Sequence, residues 1–129
     1  MTVSFLEIIL YVSNQKRSRD FYAAILKKQP SLEVPGMTEF LLMENVKLGL
    51  MPETGIAKIL RDKAPHPATG NGIPRCELYL FVDEIENTWE LSIQSGAKEI
   101  SPVQERTWGD MVGYVLDFDG HVIAFAQKK

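Results

Sequence analysis

Two glutamates stand inside otherwise apolar runs of this chain: Glu7 in Ser4–Val12 (SFLEIILYV) and Glu77 in Cys76–Val82 (CELYLFV). A carboxylate in such a run is costly to bury without a partner. Each glutamate therefore reaches solvent or a cation such as Arg75 or Arg106, or forms an acidic recognition patch, or acts as a general base. Alternation along a strand puts residues 7, 9 and 11 on one face, and likewise 77, 79 and 81. Tyr11, Tyr79 and Phe81 then share a face with the glutamates, and aromatic walls with two carboxylates suit a flat cationic molecule. Trp108, on a polar stretch ahead of Gly109, is a further candidate for a pocket wall. The expected ligand-binding set is Glu7, Tyr11, Glu77, Tyr79, Phe81 and Trp108, with no catalytic residue assigned. His66, His121 and Cys76 supply no Ser-His-Asp or Cys-His arrangement, and Gly70-Asn71-Gly72 is too short for a phosphate loop.

The elements that must position these residues follow from the hydrophobic periodicity. Ser4–Val12 reads as a strand. Ser13 and Asn14 offer an N-cap, and Ser18, Phe21, Tyr22, Ile25 and Leu26 recur at helical spacing until Pro30. Ser31–Val34, Thr38–Met43 and Val46–Met51 are strand-like, so residues 1–51 read β-α-β-β-β. Residues 52–74 hold four of the seven prolines (Pro52, Pro65, Pro67, Pro74) and form a connector. Ile56–Arg61 is a short helix within it, and Ala64–Ile73 is a loop. Residues 75–129 repeat the first order: strand Cys76–Val82, Asp83 as N-cap, a helical stripe of Ile85, Trp89, Ser92 and Ile93 closed by Gly96, then extended pieces at Lys98–Ile100 and Pro102–Trp108. Met111–Asp117 and His121–Gln127 complete the order as strands around an Asp119–Gly120 turn. Glu7–Val12 (EIILYV) matches Glu77–Val82 (ELYLFV) at an offset of 70, each running from glutamate through apolar residues to valine, so a duplicated unit is implied. Phe21, Tyr22 and Trp89 are expected in the core, and Cys76, beside Glu77, on the helix-packed face as a buried thiol.

The chain has 129 residues, a net charge of -3 and a single cysteine. That length suits one domain. Nucleic-acid binding needs a clustered basic footprint, and Lys16–Arg17–Arg19 reads better as a solvated helix face. No apolar run approaches the roughly 20 residues that span a bilayer, no signal peptide is visible, and one cysteine cannot form an internal disulfide. A cytoplasmic protein with no nucleic-acid or membrane partner is expected.

Several motifs carry a family resemblance. Leu116-Asp117-Phe118-Asp119-Gly120-His121-Val122-Ile123-Ala124-Phe125 resembles the D-P-D-G-[HN]-x-I-E-[LF] ending of the glyoxalase / bleomycin-resistance / extradiol-dioxygenase (vicinal-oxygen-chelate) superfamily. Glu7 to Asn14 followed by Phe21-Tyr22 and Leu26 is similar to its H-x-x-L-x-V-x-D…F-Y…L opening, and Ser95-Gly96-Ala97 and Arg106-Thr107-Trp108-Gly109 fit its second half. The resemblance implies an α+β fold in which two βαβββ modules place curved mixed sheets around a cavity. It also implies a homodimer, with modules paired within one chain or across two. In the superfamily's enzymes a divalent metal is held at four recurring places, which here fall on Glu7, Gly49, Glu77 and Ala124. Glycine and alanine cannot ligate, so the expectation is a protein without a cofactor that binds a small aromatic or cationic compound between its modules. The alternative is a metal-dependent lyase, isomerase or dioxygenase with an atypical site built on Glu7 and Glu77, with His66 as a possible loop donor. A regulatory module with no ligand of its own is a third reading.

Overall fold

The first strand, β1 (Leu6–Val12), runs directly into a capped helix. Asn14 is extended (φ -140°), and its side-chain oxygen accepts the N–H of Arg17 at 2.9 Å to open α1 (Gln15–Leu26). The expected stripe of Ser18, Phe21, Tyr22 and Ile25 is buried. The helix closes on Lys27 in the left-handed region (φ 54°), three residues before Pro30, so the proline is not what ends it. The basic residues lie on the wet side of α1, where Arg19 pairs with Asp20 at 2.7 Å. The computed structural model describes residues 1–129.

Three further strands complete the first sheet: β2 (Leu32–Val34), β3 (Met37–Met43) and β4 (Val46–Pro52). Their order is β1-β4-β3-β2, with β1 parallel to β4 and the other pairs antiparallel. Leu10, Val12, Phe40, Leu48 and Leu50 are buried on one face, against which α1 packs. The strands are short and strongly apolar because that face is closed to water, and burying each such side chain contributes about 1.5–3 kcal/mol. Residues 7, 9 and 11 take the opposite face, as alternation predicts.

After β4 comes α2 (Glu53–Leu60), which starts three residues earlier than the sequence suggests. The stretch expected to be all loop contains one turn of 3-10 helix, Pro67–Gly70, capped by His66, whose Nδ1 accepts the N–H of Ala68 at 3.1 Å. No helix is long and apolar enough to cross a membrane.

The second half repeats the order with β5 (Glu77–Phe81), α3 (Ile85–Gln94), β6 (Lys98–Glu105), β7 (Asp110–Leu116) and β8 (Val122–Lys128). The sheet order β5-β8-β7-β6 is the counterpart of the first. The two extended pieces expected around Pro102 are one strand, β6, whose pairing with β7 slips between Glu99 and Ser101 and again between Ser101 and Gln104. The turn at Asp119–Gly120 is as expected. Asp117 Oδ1 accepts the N–H groups of Asp119 and His121, and Gly120 takes a positive φ of 87°.

Two local expectations are corrected. Asp83 does not cap α3; Glu84 occupies the N-cap and makes no side-chain cap bond, because the ladder continues through Val82 N–H to Ala126 O and the helix starts late. Cys76 is exposed, not buried, because β5 begins only at Glu77 and Cys76 lies in the irregular lead-in. The chain divides into two units, Met1–Asn71 and Gly72–Lys129, so residues 52–71 of the connector go with the first. The fold is α+β, with two four-stranded mixed sheets.

Candidate functional site

The second unit carries an aromatic and polar cluster on the sheet face away from α3. Tyr79 on β5 and Tyr114 on β7 both stand opposite Ala124 on β8 and pack against Val112, Ala124 and Ala126. The two alanines leave room for the rings to lie over the sheet. Tyr79 donates its hydroxyl proton to Asp110 Oδ2 at 2.6 Å and accepts the indole N–H of Trp108 at 2.8 Å. Phe81 meets Tyr79 edge-on with centroids 5.4 Å apart. Lys128, paired in register with Asp110, reaches Asp110 Oδ1 at 3.3 Å and sits 5.0 Å from the Phe81 ring centroid. Trp108 and Phe81 remain 57% and 56% exposed, so this cluster presents open aromatic surface.

The electrostatics keep the polar atoms in fixed states. Burial and the bond to Asp110 raise the Tyr79 phenol above its ordinary value, so it stays a donor at neutral pH. The Tyr79 hydroxyl, and behind it Lys128, hold Asp110 below the usual carboxylate value, so it stays ionised. Neither group is poised to exchange a proton near neutrality. Arg106 lies over Tyr114, its guanidinium carbon 5.1 Å from the ring centroid. Its Nε and Nη2 donate to Val112 O at 3.2 and 2.9 Å, and Nη2 also donates to Ser101 Oγ and Pro102 O at 2.8 and 3.1 Å. Arg106 is thus no partner of Glu77, which is exposed on the same strand as Tyr79, opposite Val122.

The corresponding face of the first unit holds a different cluster. Glu7 is opposite Lys47, and Gly49 lies between Ile9 and Glu39 in register. Glu39 accepts from Lys47 Nζ at 3.2 Å. Burial first, then the hydrogen bond to and the charge of Glu39, raise the Glu7 carboxyl above its ordinary value, while Lys47 pulls it down. Glu39 is lowered, chiefly by the same bond. The opposed shifts are what two neighbouring acids show when ionising one disfavours ionising the other, with Glu7 the harder of the two to ionise. Tyr11 is half-buried opposite Met51. Glu39, Lys47, Asp110 and Lys128 are the residues that the sequence reading missed. Glu39 and Lys47 carried a signal, since each is the only charge in its strand.

The strand registers test the four family metal positions. Gly49 pairs with Ile9 as Ala124 pairs with Tyr79, so the two are equivalent places in the repeat. Ala124 is fully buried between two tyrosines, and a Cβ on Gly49 would stand 2.5 Å from Glu7 Oε2. Neither unit gathers three His, Cys, Asp or Glu side chains as an ion site requires. Gly49 and Ala124 thus offer no side-chain donor to a divalent metal at two of the four places.

The chain is similar throughout to proteins of known fold. A glyoxalase-related enzyme from Fulvimarina pelagi superposes with a TM-score of 0.82 at 19% identity over 98% of this chain and 89% of that one. A glyoxalase/bleomycin resistance protein/dioxygenase family enzyme from Burkholderia phytofirmans gives 0.81 at 13% identity over 95% and 97%. A glyoxalase/bleomycin resistance protein from Albidiferax ferrireducens gives 0.72 at 15% identity over 98% and 100%. No curated protein matches the sequence. The glyoxalase-like domain family matches residues 5–128, nearly the whole chain, and the protein belongs to that family.

Proposed function

We propose that the protein is a metal-free binder of a small, flat aromatic compound, which it sequesters rather than transforms. The observation that carries this reading is the exposed Trp108 indole tethered through its N–H to Tyr79, beside the exposed Phe81. An aromatic side chain fixed by one edge and open on its faces is a stacking platform that loses little entropy on binding. The proton-holding groups of that face are locked, which favours binding over general acid–base chemistry. The glycine and alanine at two of the four metal places favour a ligand held without an ion.

In this reading the exposed aromatic face of the second unit is the surface that receives the ligand. The edge strand β1 exposes Leu6 and Ile9, apolar surface that module pairing, within one chain or across a homodimer, would cover. The exposed free thiol of Cys76 suits a reducing, cytoplasmic setting.

The test has two arms. Chelator-stripped protein is titrated with nickel, zinc, manganese and iron(II), and separately screened by thermal shift against planar aromatic compounds. The expected result is no stabilisation by any ion, and stabilisation by a subset of rings that Trp108→Ala abolishes. Saturable stabilisation at one ion per chain would overturn the metal-free reading, and a ring that binds Trp108→Ala equally well would remove the platform from it.

A further inference from the structure

Arg106 is the one cation on the aromatic face without a carboxylate. Lys128 is neutralised by Asp110, and beyond the face Lys129 meets Glu105 at 2.9 Å. Arg106 instead spends Nε and Nη2 on four contacts to neutral oxygens, and its Nη1 makes no hydrogen bond within the protein. The slipped pairing of β6 against β7 explains those four contacts, because the guanidinium bridges Ser101 and Pro102 on one strand to Val112 on the next. It does not explain a half-buried positive charge left unpaired. A lysine or a neutral donor could span part of that gap, whereas a guanidinium fixed through Nε and Nη2 holds its remaining nitrogen, Nη1, in place as a charged donor for an oxyanion.

Resting on the aromatic-binder reading, we propose that the ligand carries an anionic group, a carboxylate or its equivalent, which pairs with Arg106 Nη1 while its ring stacks toward Trp108. Tyr114, under Arg106, and Tyr79, which holds Trp108, flank the single strand β8 at Ala124. Two strand spacings are about 10 Å, a span that a bicyclic aromatic acid fills from ring to carboxylate. The unpaired Arg106 points to an anionic ring rather than the cationic one that the two glutamates suggest, since Asp110 on this face already has its counter-ion in Lys128.

Calorimetric titration of the full-length protein with three ligands of one ring system tests this: 2-naphthoate, the neutral 2-naphthamide and the cationic 2-naphthylmethylamine. The naphthoate should bind about tenfold more tightly than the amide, with the amine weakest, the size of one added charge-assisted pair. Arg106→Gln should bring the naphthoate to the amide's affinity and leave the amide unchanged, and Arg106→Lys should keep part of the preference. Equal binding of acid and amide, or tightest binding of the amine, overturns the anion site and leaves the aromatic reading standing. Binding by none of the three overturns both. Should Arg106→Gln fail to fold, the wild-type series and Arg106→Lys still decide. An Arg106→Gln protein that loses acid and amide alike makes Arg106 only a strut between β6 and β7.

Discussion

The Glu7 carboxyl occupies the space that a side chain on Gly49 would need: a Cβ there would stand 2.5 Å from Glu7 Oε2 and 3.1 Å from Ile9 Cγ1. A ligating side chain at position 49 therefore requires the Glu7 carboxyl to move from where it stands. Gly49→Ala should displace the Glu7 carboxyl and destabilise the protein by about 1 kcal/mol, the low end of the overpacking range because the carboxyl tip can move aside. Urea unfolding at pH 7 measures it. Adding Glu7→Ala to Gly49→Ala should restore most of the loss, and a neutral Gly49→Ala would show that the carboxyl is not confined there.

The opposed shifts of Glu7 and Glu39 give a pH dependence of known sign. Glu7 is raised from 4.5 in the folded protein, so its folded state binds more protons than its unfolded state. Its contribution is complete below pH 4.5 and is lost as pH rises through the raised value. Glu39 is shifted the other way, so its contribution is present above 4.5 and is lost only as pH falls through its lowered value. The groups facing Glu7 are Glu39 and Lys47, and Lys47 also lies 5.6 Å over the Phe5 ring. In Glu7→Gln the amide can donate to Glu39 as the carboxyl does, at every pH. The variant should gain stability relative to wild type as pH rises from 5 to 8, by about 1 kcal/mol, the size of one hydrogen bond. A stability difference that stays flat across that window would show that Glu7 does not titrate above its ordinary value.

The fold was legible because the repeat and the alternation act on every residue of each strand. The charge clusters were legible only in part. β1, β3 and β4 each carry one charge, Glu7, Glu39 and Lys47, and a single charge in each of three paired strands has no cheaper arrangement than meeting the others. Finding them together requires the register, and that is set by the β3–β4 hairpin and by the parallel β1–β4 pairing rather than by composition. Trp108 lies in the turn between β6 and β7, so no parity rule aims its ring at Tyr79. Asp110 and Lys128 sit at strand ends, where a sequence offers no reason to prefer pairing over solvation. Cys76 was misplaced because strand parity was extended one residue past the ladder.

Gly113 makes a second close approach, on the opposite face of the second sheet. A Cβ there would meet Trp89 Cδ1 at 2.6 Å and Val103 Cγ2 at 2.8 Å. The indole is rigid and lies between α3 and β7, so it cannot swing away as a carboxylate tip can. Gly113→Ala should cost about 1–3 kcal/mol and shift the emission of Trp89, read in a Trp108→Phe background so that Trp89 is the only emitter. Unchanged emission and stability would show that Trp89 is loosely packed.

Tyr79 links the aromatic platform to the charge pair, so Tyr79→Phe should disturb both at once. Trp108 loses its acceptor, and Asp110 loses the donor that does most to keep it ionised. Asp110 is lowered from 3.8, so its contribution is present above that value and is lost as pH falls through the lowered one. With the phenol gone the carboxyl titrates nearer 3.8, and that acid-side loss shrinks. Tyr79→Phe should therefore lower Tm by about 4 °C at pH 7, with the gap to wild type closing below pH 3.8. The freed indole should show faster loss of Trp108 fluorescence anisotropy, in a Trp89→Phe background. A gap that persists unchanged at acid pH would locate the loss in packing against Ala124 rather than in the bond to Asp110.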